Sequence, residues 1–290
     1  VMRLVGSEMC IRDRAGAVTG LPAEWFPGHE DGVITPLAQA MLYPYPAPQG
    51  DFFMVDGLPR LAPDGIGADA LRGRVPVLSV GSNRAPLQLR RKFGPGASLP
   101  VTAAILHDVD IVFAASLSYY GAVPATGFPS EGARVALNIA WLDADQLSHM
   151  HDTEALGIAY DFIRYHPGAV SHGDRPDADD PVFGQPVHGY ESRAGVLGFD
   201  GKPMAHAAIK AEGRVFPAMD EPSMLSRVQA MGQPLPEGDD TPLEDWITAM
   251  QASRSARDEV MHRMEAIALQ PQSMPWDILD TEAGNPEAYL

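Results

Sequence analysis

The chain has 290 residues, and 21 Lys+Arg against 38 Asp+Glu give a formal charge of −17. That length allows one large domain or two modest ones with a real hydrophobic core. The acidic balance excludes the basic face that nucleic acid or an anionic membrane demands, and a single cysteine excludes an internal disulfide or a cysteine-rich zinc site. With no apolar run near the ~18–20 residues that span a bilayer, the expectation is a soluble, cytoplasmic globular protein that binds no metal and no cofactor.

Residues 1–14 differ from the rest of the chain. They hold Arg3, Arg12, Arg14 and the lone Cys10, and their VGSEMCIRD stretch reads as a non-native, adapter-like segment. A signal peptide is the competing reading, but Glu8 interrupts the apolar part and no small-residue cleavage site comes after it. Residues 15–74 form a Pro/Gly-rich N-terminal arm, with Pro44, Pro46 and Pro48 alternating beside Tyr43 and Tyr45. Such proline density favours extended backbone. Only residues 34–42 could make a short helix. The arm reads as a strap over a neighbouring surface, with a proline-rich partner motif as the lesser alternative.

Residues 75–80 are a short apolar strand, followed at once by Gly81, Ser82 and Asn83. Pro86 stands where a first helical turn would begin, and Leu87, Leu89 and Phe93 continue a helix of about eight residues. Strand, tight loop and helix start leave unpaired N–H groups and a positive dipole end facing the loop, which favours an anion there. An ordinary turn with Asn83 as cap is the plainer alternative. Arg90, Arg91 and Lys92 read as complements of the helix dipole.

Residues 111–117 read as a second strand. The small-residue stretch Tyr119, Tyr120, Gly121 and Ala122, then Pro124 to Thr126, suits close backbone approach. Glu131 and Gly132 suggest a turn. Residues 134–141 are the clearest strand, with Val135, Leu137, Ile139 and Trp141 on one face and the small Ala136, Asn138 and Ala140 on the other. Asp143 and Gln146 have capping-box spacing and should start a helix. Glu154 comes as that helix runs out, and Tyr160 opens another alternating run to Tyr165. Taken alone, Glu154 reads as a solvated acid.

In order and spacing, these pieces over residues 75–165 resemble the γ-glutamylcyclotransferase family. The family's Tyr-Gly-Ser-Asn loop between strand and helix appears as Val80, Gly81, Ser82 and Asn83. Its glycine-containing Ala-Thr stretch is matched by Gly121 to Thr126, its next strand by residues 129–142, and its glutamate segment by His151 to Glu154 and then Tyr160. The resemblance implies an α+β fold, a small mixed β-barrel over residues 75–215 with outer helices and a pocket beside the loop. It implies Glu154 as catalytic acid/base, with Val80, Gly81, Ser82, Asn83, Tyr120, Gly121 and Tyr160 around a small-molecule γ-glutamyl substrate. In the implied reaction the substrate's own amine attacks its γ-carbonyl and releases 5-oxoproline. Such intramolecular attack needs one proton shuttle and oxyanion donors, not a metal or covalent nucleophile. The chain departs from the family in two places: Val80 replaces tyrosine, and Ala155 replaces the glycine common after the glutamate. A module that binds an amino-acid derivative without turning it over is the alternative.

The remaining features carry weaker signals. His149 and His151 lie two apart, which on a helix directs them differently and makes chelation poor. Residues 171–186 read as a disordered surface insertion, with a lid over the pocket as the alternative. Residues 216–290 turn helical. Ser223 could cap one helix, and Thr241, Pro242 and Glu244 mark the start of another. Trp246, Ile247, Met250, Met261, Met264 and Ile267 read as a face packed on the barrel, and residues 270–290 as an extended acidic surface tail.

Overall fold

The computed structural model of the protein describes residues 21–30, 33–173, 175, 177–231, 241–271 and 273–279. The expected non-native segment with Cys10, and the last eleven residues of the expected tail, lie outside the described residues.

The first helix, α1 (Pro36–Met41), is capped by Thr35, whose side chain accepts from the Ala38 N–H, and Pro36 supplies the fixed φ that suits a first turn. The strands β1 (Phe52–Val55) and β2 (Leu58–Leu61) pair as a hairpin. The strand β3 (Val75–Ser79) leads through Gly81 into a 3-10 turn, Ser82–Arg84, and then α2 (Pro86–Phe93). The long strands β4 (Leu99–Phe113) and β5 (Ala125–Leu142) form the backbone of the sheet. The helix α3 (Ala144–Thr153) opens on the predicted capping box, with Asp143 and Gln146 each satisfying the other's backbone. Next come β6 (Tyr160–Tyr165), β7 (Val170–Ser171), β8 (His188–Ser192), β9 (Ala205–His206), β10 (Ala211–Glu212) and β11 (Ala218–Met219). The helices α4 (Glu221–Met231), α5 (Leu243–Ala252) and α6 (Arg254–Glu265) precede β12 (Trp276–Ile278).

These twelve strands make one mixed sheet, whose main path runs β11, β9, β4, β5, β3, β8, β6, β12. The β3–β8 and β9–β11 pairs are parallel; the other pairs along that path are antiparallel. The α+β class is as expected. The path does not close into a ring, so the ladder does not establish the expected barrel. Among the described residues no helix is long and apolar enough to cross a membrane.

Several boundaries differ from the sequence reading. The second strand begins at Leu99 rather than 111 and ends at Phe113, because burial on both faces removes the alternation that would have marked its start. Glu131 and Gly132 are not a hairpin turn. They lie inside β5 near a register shift at Asp108, a left-handed residue (φ 58°) whose carboxylate accepts from the Gly132 N–H at 2.8 Å. The N-terminal arm does more than lie on a surface: β1 pairs with β4, with Phe52 opposite Val101. The tail contributes β12, where Trp276 pairs with Tyr165 and is buried. The helix expected to be capped by Ser223 begins at Glu221, and the one expected after Thr241 begins at Leu243 without a side-chain cap.

One face of the sheet carries Leu78, Leu137, Ile139, Trp141 and Ile163, under a cover that includes Ile66, Leu71, Val182 and Phe183. The other carries Val77, Val101 and Ala140 against Leu89 of α2 and Leu147 and Met150 of α3. The small face of β5 therefore looks onto helices, one of the two occupants its composition suggested. The helices α4, α5 and α6 share a separate core built on Trp246, Ile247, Met250 and Met264. Packing α2 beside α3 fixes where their last turns meet.

Candidate functional site

The site forms where the loop after β3 meets the ends of α2 and α3. Glu154 is the C-cap residue of α3, and its side chain is 12% exposed. The Asn83 amide donates to Glu154 Oε1 at 2.8 Å. Lys92, in the last turn of α2, forms an ion pair with the same oxygen; its side chain is 7% exposed. The ammonium also donates to Thr153 Oγ1 at 2.9 Å. Both contacts fall on Oε1, and Oε2 has no partner among the described residues.

Asn83 of the expected loop thus touches Glu154 directly, and the two hollows described below are lined by neither residue. Glu154 is not the solvated acid its isolated context suggested. Lys92 is not simply a dipole complement, because packing of α2 on α3 delivers it to a carboxylate 62 residues away. Its one legible signal was rarity: it is one of three lysines in a chain whose other strong cations are arginines.

The loop itself is donor-rich. In the 3-10 turn the Arg84 and Ala85 N–H groups bond back to Gly81 and Ser82. The N–H groups of Ser82 and Asn83 have no acceptor among the described residues, and the buried Asn83 Oδ1 atom has no donor. Unpaired donors at the start of a turn are suited to an anion or a developing oxyanion.

Val80 belongs to the core with Leu78 and Tyr43 rather than presenting a polar group. The hydroxyl beside the loop comes instead from Tyr43, a residue of the N-terminal arm. Its oxygen accepts from the Ala125 N–H at 2.8 Å. A side-chain carbon added at Gly81 would fall on that hydroxyl, so glycine is required there for close approach. Sequence spacing had pointed to no role for Tyr43.

Tyr160 opens β6 near Glu154. Its hydroxyl is pushed well up by burial, and the Glu154 charge adds to the effect. Tyr120 is raised by burial as well, partly offset by Arg91. Tyr43 feels both of these tyrosines, so the three hydroxyls share one neighbourhood. Gly121 is not part of it: at φ 84° it turns its open side to Ile247 and Gln251 of α5. A second carboxyl, Glu191, is pushed up to about 8 by burial, against hydrogen bonds from Thr126 and Gly127.

The other candidates are placed elsewhere. His149 donates to the Lys92 carbonyl at 2.7 Å, and His151 Nδ1 and the Tyr190 hydroxyl share a hydrogen bond of 2.7 Å. They serve different neighbours. Among the described residues no group of three or more His, Cys, Asp or Glu could hold a metal ion. Of the described residues between 171 and 186, Val182 and Phe183 are buried, and His172, Arg175 and Asp177 line a groove of about 900 Å³ with Asp51 and Ile66, a groove that Glu154 does not line. A smaller hollow of about 410 Å³ lies beside Lys92, Ser98 and His149.

In comparisons with protein-family models, with curated proteins and with solved structures, nothing matches this chain.

Proposed function

We propose that this protein is a γ-glutamylcyclotransferase-like enzyme that converts a γ-glutamyl amine or peptide into 5-oxoproline and a free amine. The observation that carries the reading is the 2.8 Å contact between Asn83 and Glu154 Oε1. It sets the carboxylate that the resemblance singles out beside a loop with unpaired donors. In the proposed reaction Glu154 takes a proton from the substrate's α-ammonium through Oε2, the oxygen left without a partner. The freed nitrogen bonds to its own γ-carbonyl carbon, the original amide C–N bond breaks as Glu154 passes its proton to the departing nitrogen, and the ring nitrogen gives its second proton to that amine, leaving a neutral lactam and an ammonium. Atoms balance with no co-reactant. The Ser82 and Asn83 N–H groups are the donors for the transient oxyanion. Lys92 and Asn83 hold the carboxylate in place.

The reading extends to the shape of the sheet, which we take to curl into the family's small mixed barrel. In support, both faces of the β4–β5 hairpin are largely buried. Incubation with γ-glutamyl dipeptides or glutathione, with 5-oxoproline as the measured product and Glu154→Gln as control, tests the proposal. Product formation that depends on Glu154 is expected; no product, or equal product from the variant, would overturn it.

A second reading is a binding module on the same fold. It is favoured by Lys92, which neutralises the carboxylate that catalysis needs as a base, and by Val80, which brings no hydroxyl. Calorimetry showing tight binding of a γ-glutamyl dipeptide without 5-oxoproline would select it.

A further inference from the structure

Arg84 follows Asn83 directly, closes the 3-10 turn and is only 7% exposed. Among the described residues its side chain makes one hydrogen bond, from Nε to Asn138 Oδ1, and it is long, at 3.4 Å. Among the described residues no carboxylate pairs with its guanidinium, and neither Nη nitrogen has an acceptor. Burial lowers its pKa to about 10 with no opposing charge to offset the effect. The chain treats its other sheltered arginines differently. Arg175 is paired with Asp51 at 2.9 Å, and Arg214 grips both oxygens of Asp110 at 2.8 Å. A buried cation without a partner is costly, and it persists where something outside the chain completes it.

The surroundings narrow what that is. Asn138 is itself anchored by donating to the Pro48 carbonyl at 3.2 Å, so it holds Arg84 by Nε and leaves the Nη edge open. The same turn carries the unpaired N–H groups of Ser82 and Asn83. Apart from the buried Asn83 Oδ1, the open groups on the turn are donors. A guanidinium edge is a planar fork that matches a carboxylate with two parallel hydrogen bonds.

We propose that Arg84 receives the α-carboxylate of the bound ligand and so selects an amino-acid group over a simple amine. This rests on the γ-glutamyl reading of the site, in which Arg84 follows Asn83 on the loop that touches Glu154. The pairing also explains why the charge is left uncompensated in the free protein.

The test is calorimetry on the full chain with three probes: L-glutamate, a γ-L-glutamyl dipeptide, and the matching 4-aminobutanoyl peptide, which lacks the α-carboxylate. Arg84→Met is expected to weaken binding of the first two by roughly 30-fold or more, as loss of one partner of a buried charge pair does. Arg84→Lys should fall between, and the 4-aminobutanoyl peptide should bind wild type and both variants alike. Thermal melts without ligand add a second readout: Arg84→Met should melt no lower than wild type, and glutarate should raise the melting temperature of wild type alone. Equal glutamate affinity in wild type and Arg84→Met, or no carboxylate binding by wild type, would overturn the assignment. Arg84-dependent glutamate binding with no 5-oxoproline from any γ-glutamyl substrate would remove the cyclotransferase reaction and leave the carboxylate site standing. Turnover with KM unchanged in Arg84→Met would do the reverse.

Discussion

Asn83 and Glu154 are 71 residues apart, yet the amide of one donates to the carboxylate of the other at 2.8 Å. Lys92 closes the group from α2. With both charged side chains largely buried, removing either leaves the other unpaired. Lys92→Met should therefore cost about 3 kcal/mol of stability, and Glu154→Gln a comparable amount. The double variant should recover much of the loss, since neither charge is then stranded. Urea titrations of the four proteins measure the coupling; strict additivity would show that the pair is not energetically linked.

Glu154→Gln should also lower 5-oxoproline formation by about 100-fold or more, the scale of a lost general acid/base. The amide keeps an oxygen for Asn83, so the local geometry is preserved. A rate assay at a temperature where both proteins are folded separates this from the stability effect.

Ala155 follows the site glutamate in the left-handed region, at φ 49°. A β-carbon there is strained by roughly 1–2 kcal/mol. The backbone here takes a conformation that favours glycine, and this chain places alanine in it. Ala155→Gly should stabilise by a few tenths to about 1 kcal/mol, because relief of strain exceeds the added freedom of the unfolded chain. Gly121→Ala should do the opposite: its φ is 84°, and a new methyl would meet Ile247 Cγ2 at 3.3 Å. Paired denaturant midpoints decide both signs.

Glu191 is raised from 4.5 to about 8 by burial. Its folded-state pKa lies above the unfolded one, so the folded chain holds the proton more tightly between these values. The contribution is fully present below about pH 4.5 and is lost as pH rises through 8. Glu191→Gln keeps an acceptor for the Gly127 N–H and removes the titration. Its stability should decline less than that of wild type between pH 5 and roughly 8.5, as read from melting temperatures; parallel curves would count against the assignment.

Asp51 ties the N-terminal arm to the sheet. It accepts from the Ile66 N–H at 2.9 Å and the Ala103 N–H at 2.8 Å, and it pairs with Arg175. Both members of that pair are only 8% exposed. Asp51→Ala should cost about 3 kcal/mol, since it leaves the Ile66 and Ala103 N–H groups without their acceptor and takes from Arg175 one of its two carboxylates, Asp177 remaining. Arg175→Met, which leaves Asp51 with its two N–H donors, should cost less. Chemical denaturation of the two variants gives the order.

What the residues revealed by themselves was local. The capping box of α3 and the Pro86 start of α2 depend on partners within a few positions, and β5 shows its alternation because that pattern belongs to one strand. The loop at Gly81 was legible because strand, glycine and helix start are adjacent in the chain. The motif series then singled out Glu154, which its own neighbours did not.

Tertiary structure alone decided who meets whom. It brought Tyr43 from the arm to Gly81 and Lys92 to Glu154, and it left Arg84 beside Asn138 with no acid among the described residues. It turned residues 52–61 into a hairpin on β4 and the tail into β12. Side-chain types report the preferences of the backbone that carries them, over a few residues. Which distant group arrives at a given charge depends on how helices and strands pack, and that geometry leaves no periodic trace along the chain.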